Sequence, residues 1–340
     1  MKILKEVAVI RPMLIVIVVL YHAFIVFDGG WKEPVGFVPC ELYKWIARVT
    51  YSFMLETFVF ISGYVWAFQH VELKRMETFG QLVIKKLQRL MLPCLLFGIL
   101  YQLTLTRNEG GVTIITNAVQ GIAHLWFLPM LFWCFIGAYL LNMTKLPTVW
   151  RFFLLVLLSL VSYMPLPMQM SRSMYYLLFF YSGYVAYRHR EHIRAVVSGR
   201  RIIVLWGLFF LIFILLRTFD EHLEGIETES KLLASRCAIH SLRRAVQLIY
   251  ASIGLVASFY SAMYFVKSHT TGKWIMKIGV YCMGVYIFQQ FFLQALYFHT
   301  SFPETAGSML LPWMGFVITL PLSLFVSYAI RLTKLGRIIL

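Results

Sequence analysis

Charged residues are scarce in this chain, and acidic residues are the scarcest. Asp, Glu, Lys and Arg make up only 14% of the 340 residues, whereas 60% are apolar and the mean hydropathy is +0.75. A typical soluble domain is about half apolar and about a quarter charged. The shortage of charge therefore excludes an ordinary cytosolic enzyme and a disordered chain, and it indicates a protein whose solvent is lipid.

Cysteine is also rare, and its pattern excludes a secreted disulfide scaffold. There are five cysteines, an odd number, and three of them (Cys94, Cys134 and Cys282) fall inside apolar runs, where a thiol is usually a small packing residue. The sequence leaves open whether Cys40 and Cys237 pair. No linker, low-complexity tract or internal repeat divides the chain, so a single membrane domain over residues 1–340 is predicted.

Long apolar runs, by contrast, are abundant. About 20 apolar residues are needed to cross the hydrocarbon as a helix, and lipid permits little besides helices and closed barrels. The runs are too long for barrel strands, so the sequence predicts an all-α polytopic membrane helical bundle. About ten transmembrane helices are predicted, at 8–27, 46–69, 90–106, 122–142, 152–166, 174–187, 202–217, 245–266, 278–298 and 312–330.

The distribution of basic residues predicts the orientation. Ten spans put both termini on one side, and that side carries 20 of the 31 basic residues but only four of the 15 acidic ones. Basic residues collect in cytoplasmic loops of membrane proteins, so both termini are expected in the cytoplasm. The net charge of +16 thus reports on topology within a lipid bilayer, and no nucleic-acid partner is expected.

The first predicted span carries two ionisable side chains, Arg11 and His22. Such groups cost about 3 kcal/mol within lipid and normally face the bundle interior. His22 follows Arg11 by eleven positions, which places both on one face of a helix, about 16 Å apart along the axis. That face suits an elongated ligand with an anionic end at the guanidinium and a reactive end at the imidazole. The alternative is an arginine that reaches the headgroups and a histidine bonded within the core.

The second predicted span buries a carboxyl group, Glu56. Its helical face also holds Ser52 and Gly63, small residues that let another helix approach closely. The carboxylate could hold an imidazole in one tautomer, as the acid of a catalytic triad does. A structural ion pair, for instance with Arg48, is the alternative.

Two further segments are candidates for ligand binding. Lys86 and Arg89 stand at the start of the third span, where a cationic cluster suits phosphate groups, although such a cluster is also an ordinary cytoplasmic-loop signal. His124 and Trp126 open the fourth span, where a histidine beside tryptophan is commonly an interface anchor.

Together these motifs resemble the acyltransferase 3 family of integral membrane acyltransferases. Arg11 and His22 match the family's Arg-x10-His signature, and residues 56–63 are similar to its acidic-x-Phe-Phe-x-x-Ser-Gly stretch. Residues 86–93 resemble its basic-x-x-Arg-Leu-x-x-Pro element, and residues 124–129 resemble its His-Leu-Trp-Phe-Leu-Pro segment.

The resemblance continues to the end of the chain, with one departure. Residues 278–286 and 333–340 are similar to the closing segments of the family. In the ninth span, where many members have a histidine, this chain has Gln289 and Gln290. A role for a second histidine at that point is therefore not expected here.

The resemblance implies transfer of an acyl group, usually acetyl, from cytoplasmic acyl-CoA to a hydroxyl of a cell-surface glycan or lipid-linked saccharide. It implies a multi-pass protein of the inner (cytoplasmic) membrane and no metal. His22 would be the general base or a transient acyl carrier, oriented by Glu56. Arg11, Lys86 and Arg89 would bind the phosphates of CoA. His124, Trp126 and Ser62 would bind the acceptor or support the structure of the site.

A secondary transporter or exporter of a glycan precursor is the competing hypothesis, because a helical bundle with buried charges serves transport as well. The sequence shows no internal repeat and no matching pair of broken spans, which are typical of transporters. Covalent transfer of label to an acceptor separates the two functions, since a carrier only relocates its substrate. A purely structural assembly partner would leave Arg11, His22 and Glu56 unexplained.

Overall fold

A computed structural model describes residues 4–106, 110–229, 232–269 and 273–339. The structure is 85% helix, and the described ranges contain no strand, which confirms the all-helical prediction. Helices dominate because they satisfy every backbone N–H and C=O within one segment, as lipid requires. Lys2, counted above among the basic residues on the side of the termini, and Leu340, which ends the closing segment, lie outside the described residues.

Fifteen α-helices are assigned within the described residues. Their bounds are α1 Lys5–Phe24, α2 Glu41–Val71, α3 Phe79–Lys86, α4 Leu92–Tyr101, α5 Gly111–Gln120, α6 Phe127–Met143, α7 Thr148–Leu160, α8 Met170–Arg188, α9 Arg190–Val196, α10 Gly199–Glu229, α11 Leu233–Ser268, α12 Lys273–Ile278, α13 Cys282–Phe298, α14 Phe302–Leu332 and α15 Lys334–Ile339. Tight 3₁₀ turns occur at Ile25–Asp28 and Ala123–Trp126, and wider π turns occur at Leu87–Met91 and Gln102–Thr106.

Seven helical segments of the described chain are long and apolar enough to cross a membrane, and each contains or closely overlaps one of the ten predicted spans. The other three predictions, 152–166, 174–187 and 278–298, fall on α7, α8 and α13, which have 13, 19 and 17 residues. α7 and α13 are shorter than the ~20 residues that usually span the hydrocarbon, and α8 is rich in tyrosine and serine. The count of ten remains a prediction.

The chain folds into two compact units, each assembled from separate stretches of sequence. The first unit comprises Met1–Val7, Leu55–Val83 and Met130–Thr270; the second comprises Ala8–Met54, Ile84–Pro129 and Thr271–Leu340. The division falls within α2. The first unit consequently holds Glu56 and Ser62, and the second holds Arg11, His22, Lys86, Arg89, His124 and Trp126.

In the first unit, α2 and α8 cross with almost no space between their backbones. A Cβ atom added at Gly63 would lie 1.9 Å from the carbonyl oxygen of Phe180, and one added at Gly183 would lie 1.9 Å from that of Phe60. Two glycines therefore form the crossing, as small residues do where membrane helices pack closely. Close packing of α2 against α8 therefore accounts for the glycine of the Ser-Gly pair at 62–63.

The second unit is built around the C-terminal ends of α1 and α13. Its core contains Ala23, Phe24, Ile25, Val26, Phe27, Ala47, Leu293, Tyr297 and Leu311. The Tyr297 hydroxyl donates to the Ala23 carbonyl at 2.8 Å, so the far ends of α1 and α13 are joined. Near the start of the two helices, the charge of Arg11 interacts with the thiol of Cys282. α13 thus runs alongside α1 in the same direction.

Candidate active site

α1 carries the two ionisable side chains that the sequence singled out. The His22 side chain is buried with 8% of its surface exposed, and Arg11 is partly buried. His22 follows Arg11 by eleven positions on one helix, about 16 Å of rise. No hydrogen bond joins the Arg11 guanidinium to another residue in the part of the chain that the structure describes. A cation without such a bond is available to an anionic ligand.

The tautomer of the neutral His22 ring follows from its hydrogen bond. Its Nδ1 lies 2.9 Å from the Val18 carbonyl oxygen, one helical turn earlier. A carbonyl oxygen only accepts, so Nδ1 carries the hydrogen and donates it. In the neutral ring Nε2 then holds a lone pair, which is the atom that a general base needs.

His124 is placed beside this imidazole by a strained turn. Gly121 and Ala123 have φ values of +81° and +50°, and the 3₁₀ turn that follows delivers His124 into the interior with 4% of its surface exposed. Its Nε2 lies 2.9 Å from the Ile287 carbonyl oxygen and therefore donates to it. The Tyr286 hydroxyl donates to the His124 carbonyl, which anchors the turn to α13.

The two imidazoles form one site. Their ring centroids are 6.4 Å apart, and the Trp31 ring lies 6.3 Å from that of His22. The Nδ1 of His124 is buried without a hydrogen-bond partner among the described residues. Each ring donates one hydrogen to a backbone carbonyl, and in its neutral form the other nitrogen carries a lone pair. The second unit thus holds a pair of proton acceptors.

The basic segment before α4 is shaped by a proline. Pro93 has no N–H to donate, and in a regular α-helix its ring would collide with the carbonyl of Arg89, four residues earlier. The helix widens at this point into the π turn Leu87–Met91, closed by the N–H of Leu92 donating to the Leu87 carbonyl. Single π turns are frequent at functional sites. Here the turn presents Arg89 exposed, with Lys86 half-buried at the end of α3.

Glu56 lies in the first unit with partners that the sequence did not suggest. Tyr175 donates its hydroxyl to Glu56 Oε1 at 3.2 Å, while Oε2 is buried without a hydrogen-bond partner among the described residues. The Arg244 guanidinium lies 5.3 Å from the centre of the Tyr175 ring and interacts with the Glu56 charge. Ser62, on the same helix, donates its hydroxyl to the Phe58 carbonyl at 2.9 Å.

Residues that are far apart in sequence meet around α1 and α13. The structure brings His22 and His124 together, and it places Cys282, Tyr286 and Ile287 of α13 around Arg11 and the two imidazoles. The hydrogen bond from His22 to the Val18 carbonyl could have been predicted from the sequence, because a carbonyl four residues earlier is the nearest acceptor for a side chain on a helix. The contacts of α13 join residues that are far apart in sequence, so no sequence pattern predicted them.

Other residues considered from the sequence have ordinary partners. Arg48 forms an ion pair with Asp28 at 2.7 Å, and Trp126 packs edge-on against Phe127 at 6.2 Å. All five cysteines, including Cys40 and Cys237, are free thiols. The described residues contain no group of three or more His, Cys, Asp or Glu arranged to hold a metal ion.

These features define a multi-pass helical membrane protein with an internal pair of buried imidazoles. The chain matches the acyltransferase 3 family, described as an acyltransferase domain, over residues 4–332. It belongs to that family, which confirms the resemblance seen in the motifs and implies an acyltransferase with an acyl donor and an acceptor. No curated protein and no solved structure is significantly similar to the chain.

Proposed function

We propose that this protein transfers an acetyl group from cytoplasmic acetyl-CoA to a hydroxyl of a cell-surface glycan or lipid-linked saccharide, in the inner (cytoplasmic) membrane. The observation that carries the proposal is the hydrogen bond from His22 Nδ1 to the Val18 carbonyl. It leaves Nε2 with the lone pair that removes a proton from the acceptor hydroxyl.

The transfer balances with His22 as the only proton carrier. Nε2 accepts the hydroxyl proton while the oxygen attacks the thioester carbonyl carbon. The carbon–sulfur bond then breaks, the thiolate leaves, and the imidazolium returns its proton to the sulfur. The products are the acetyl ester and free CoA, and the imidazole is neutral again. His124, 6.4 Å away between ring centroids, supports the acceptor side of the site together with Trp126, and Ser62 supports the α2–α8 crossing.

Three cations are proposed to hold the donor. Arg11 is on the same helix as the base, and its distance from His22, about 16 Å, is on the order of a pantetheine arm. Lys86 and Arg89 add charge at the predicted cytoplasmic boundary, where a guanidinium binds phosphate in a bidentate manner. With both termini in the cytoplasm, as the basic loops predict, this end of the site faces the cytoplasmic CoA.

Glu56 is proposed to assist catalysis through its charge. The tautomer of His22 is already set by Val18, so an orienting carboxylate is not needed for that purpose. A negative charge would still favour the imidazolium that forms during transfer. The Tyr175 and Arg244 partners of Glu56 support a fixed position for that charge.

The test is a comparison of surface glycans from cells with and without the protein by mass spectrometry, after feeding isotopically labelled acetate. An acetyl increment that requires the protein and carries the label supports the transferase. Unmodified glycan whose distribution across the membrane changes would support the exporter, because a carrier relocates its substrate without a new covalent bond.

A further inference from the structure

Gln289 lies on α13 in a position that no motif assigned. It follows Cys282 by seven residues, which puts both side chains on one face, about 20° and about 10 Å apart. Cys282 is the neighbour of Arg11, and α13 runs beside α1 in the same direction. Along the shared direction of the two helices, Gln289 therefore lies two helical turns past Arg11. His22 lies three turns past Arg11.

The carboxamide of Gln289 is buried and unpaired. Its side chain has no exposed surface, and neither Oε1 nor Nε2 has a hydrogen-bond partner in the part of the chain that the structure describes. A buried amide group without a hydrogen bond loses its interactions with water and gains nothing in return, so it destabilises the fold. Buried polar atoms are almost always paired, so such an exception needs an explanation in function.

Gln290, the next residue, differs in its surroundings. Its side chain interacts with the His124 ring, and its Oε1 is buried without a hydrogen-bond partner among the described residues. Its direction on the helix is about 100° away from that of Gln289. Gln290 thus belongs with the imidazole pair, while Gln289 belongs with the face that begins at Cys282.

Gln289 lies between the levels of Arg11 and His22, and this position indicates which chemical group would bind its carboxamide. If phosphates lie at Arg11 and a thioester at His22, as the proposed function requires, the middle of the donor passes Gln289. That middle is the pantetheine arm, an apolar chain interrupted by amide groups. A carboxamide has an NH2 group that donates and a carbonyl oxygen that accepts, which complement an amide carbonyl and an amide N–H.

We infer that Gln289 recognises the pantetheine arm of the donor: Nε2 donates to an amide carbonyl of the arm, and Oε1 accepts from an amide N–H. This inference rests on the proposed function. It makes Gln289 a binding residue that selects donors with amide groups and that fixes how far the thioester extends towards His22.

The experiment measures binding to the purified full-length protein in detergent, by displacement of radiolabelled acetyl-CoA. The competitors are CoA and its nucleotide part, adenosine diphosphate with the additional ribose phosphate, which lacks the arm. Gln289→Met keeps the length of the side chain and removes both polar atoms. Gln294→Met, on the same helix at a half-buried position, is the matched control.

Gln289→Met is expected to weaken CoA binding by about tenfold to a hundredfold, the loss of two buried hydrogen bonds. The affinity for the nucleotide part should stay the same, and Gln294→Met should bind both ligands as the wild type does. Size-exclusion profiles and thermal unfolding verify that the variants are folded. In the transfer reaction, the KM for acetyl-CoA should rise with little change in kcat.

Wild-type affinity for CoA in folded Gln289→Met overturns the inference. An equal loss of CoA and nucleotide binding in that variant also overturns it, because the residue would then support the whole site and not the arm. A wild-type protein that binds neither CoA nor acetyl-CoA contradicts the donor assignment in the proposed function, and this result is distinct from either outcome for Gln289.

Discussion

The Nδ1 atom of His22 lies 2.9 Å from the carbonyl oxygen of Val18, one turn earlier on α1. The acceptor is part of the helix backbone, so it is in place as soon as α1 forms. The tautomer that leaves Nε2 free is thus set by local structure, and the base needs no other side chain for its orientation.

His22→Ala is expected to reduce acyl transfer by about 10²–10⁴-fold per folded molecule, the usual cost of losing a general base. The measurement is transfer from labelled acetyl-CoA in membranes with matched protein levels. His299→Ala, an exposed histidine that follows α13, is the control and should retain full activity.

Retention of more than about a tenth of wild-type turnover by His22→Ala would show that the base is another residue, and His124 would then be the candidate. Glu56→Gln should cost less than His22→Ala, because the amide keeps a polar partner for Tyr175 but cannot stabilise a positive imidazolium. A Glu56→Gln loss as large as that of His22→Ala would mean that the charge itself is indispensable.

Arg89→Ala should weaken acyl-CoA binding, and Arg89→Lys should recover only part of it, because an ammonium cannot reproduce the bidentate contact of a guanidinium with phosphate. Binding is measured with labelled acetyl-CoA on purified protein. Arg75→Ala, at an exposed loop position, controls for the general loss of a positive charge. If both Arg89 variants bind the donor as tightly as the wild type, Arg89 serves only as a cytoplasmic-loop charge that sets the orientation of the protein in the membrane.

Gly63→Ala should strongly destabilise the first unit, by about 3 kcal/mol or more, since the new methyl group would lie 1.9 Å from a backbone carbonyl. Gly183→Ala should do the same at the same crossing. Gly207→Ala on α10 meets nothing within 4 Å and is the control. Thermal unfolding in detergent compares the three, and an unchanged midpoint for Gly63→Ala would contradict the close α2–α8 crossing.

Arg243→Met should lower the unfolding temperature, because Arg243 bonds to Asp220 at 2.8 Å and to Glu224 and Glu227 at 2.9 Å. Asp220 has no exposed surface, so the loss of one of its two arginine partners weakens the balance of a buried charge, although Arg217 remains bonded to it at 2.8 Å. Arg236→Met, exposed on the same helix, should have little effect. Equal stability of the two variants would contradict a stabilising role for the Arg243 ion pairs.

Reporter fusions should give the orientation that the basic residues predict. A reporter after residue 340 and one in the 188–201 segment are expected in the cytoplasm, and one inserted between α10 and α11 is expected outside. Each is scored by protease or alkylation accessibility in intact cells. A C-terminal reporter on the outside would overturn the count of ten spans.

The sequence by itself determined the helical class, the family and the candidate residues of α1. Apolar runs specify membrane helices because lipid leaves the backbone no other partner. The eleven-residue spacing of Arg11 and His22 specifies a shared face because helical geometry is fixed. Pro93 likewise requires an irregular turn at Arg89, since its ring and missing N–H act locally.

Only the tertiary structure decided which distant residues meet. His124 lies beside His22, and Gln289 stands two turns above the neighbour of Arg11, because α13 packs alongside α1. Gly63 meets the backbone of Phe180 because α8 crosses α2. Periodicity tells which face of a helix is apolar, but several helices could cover that face equally well. The choice among them depends on the fit of side chains from segments far apart in the chain.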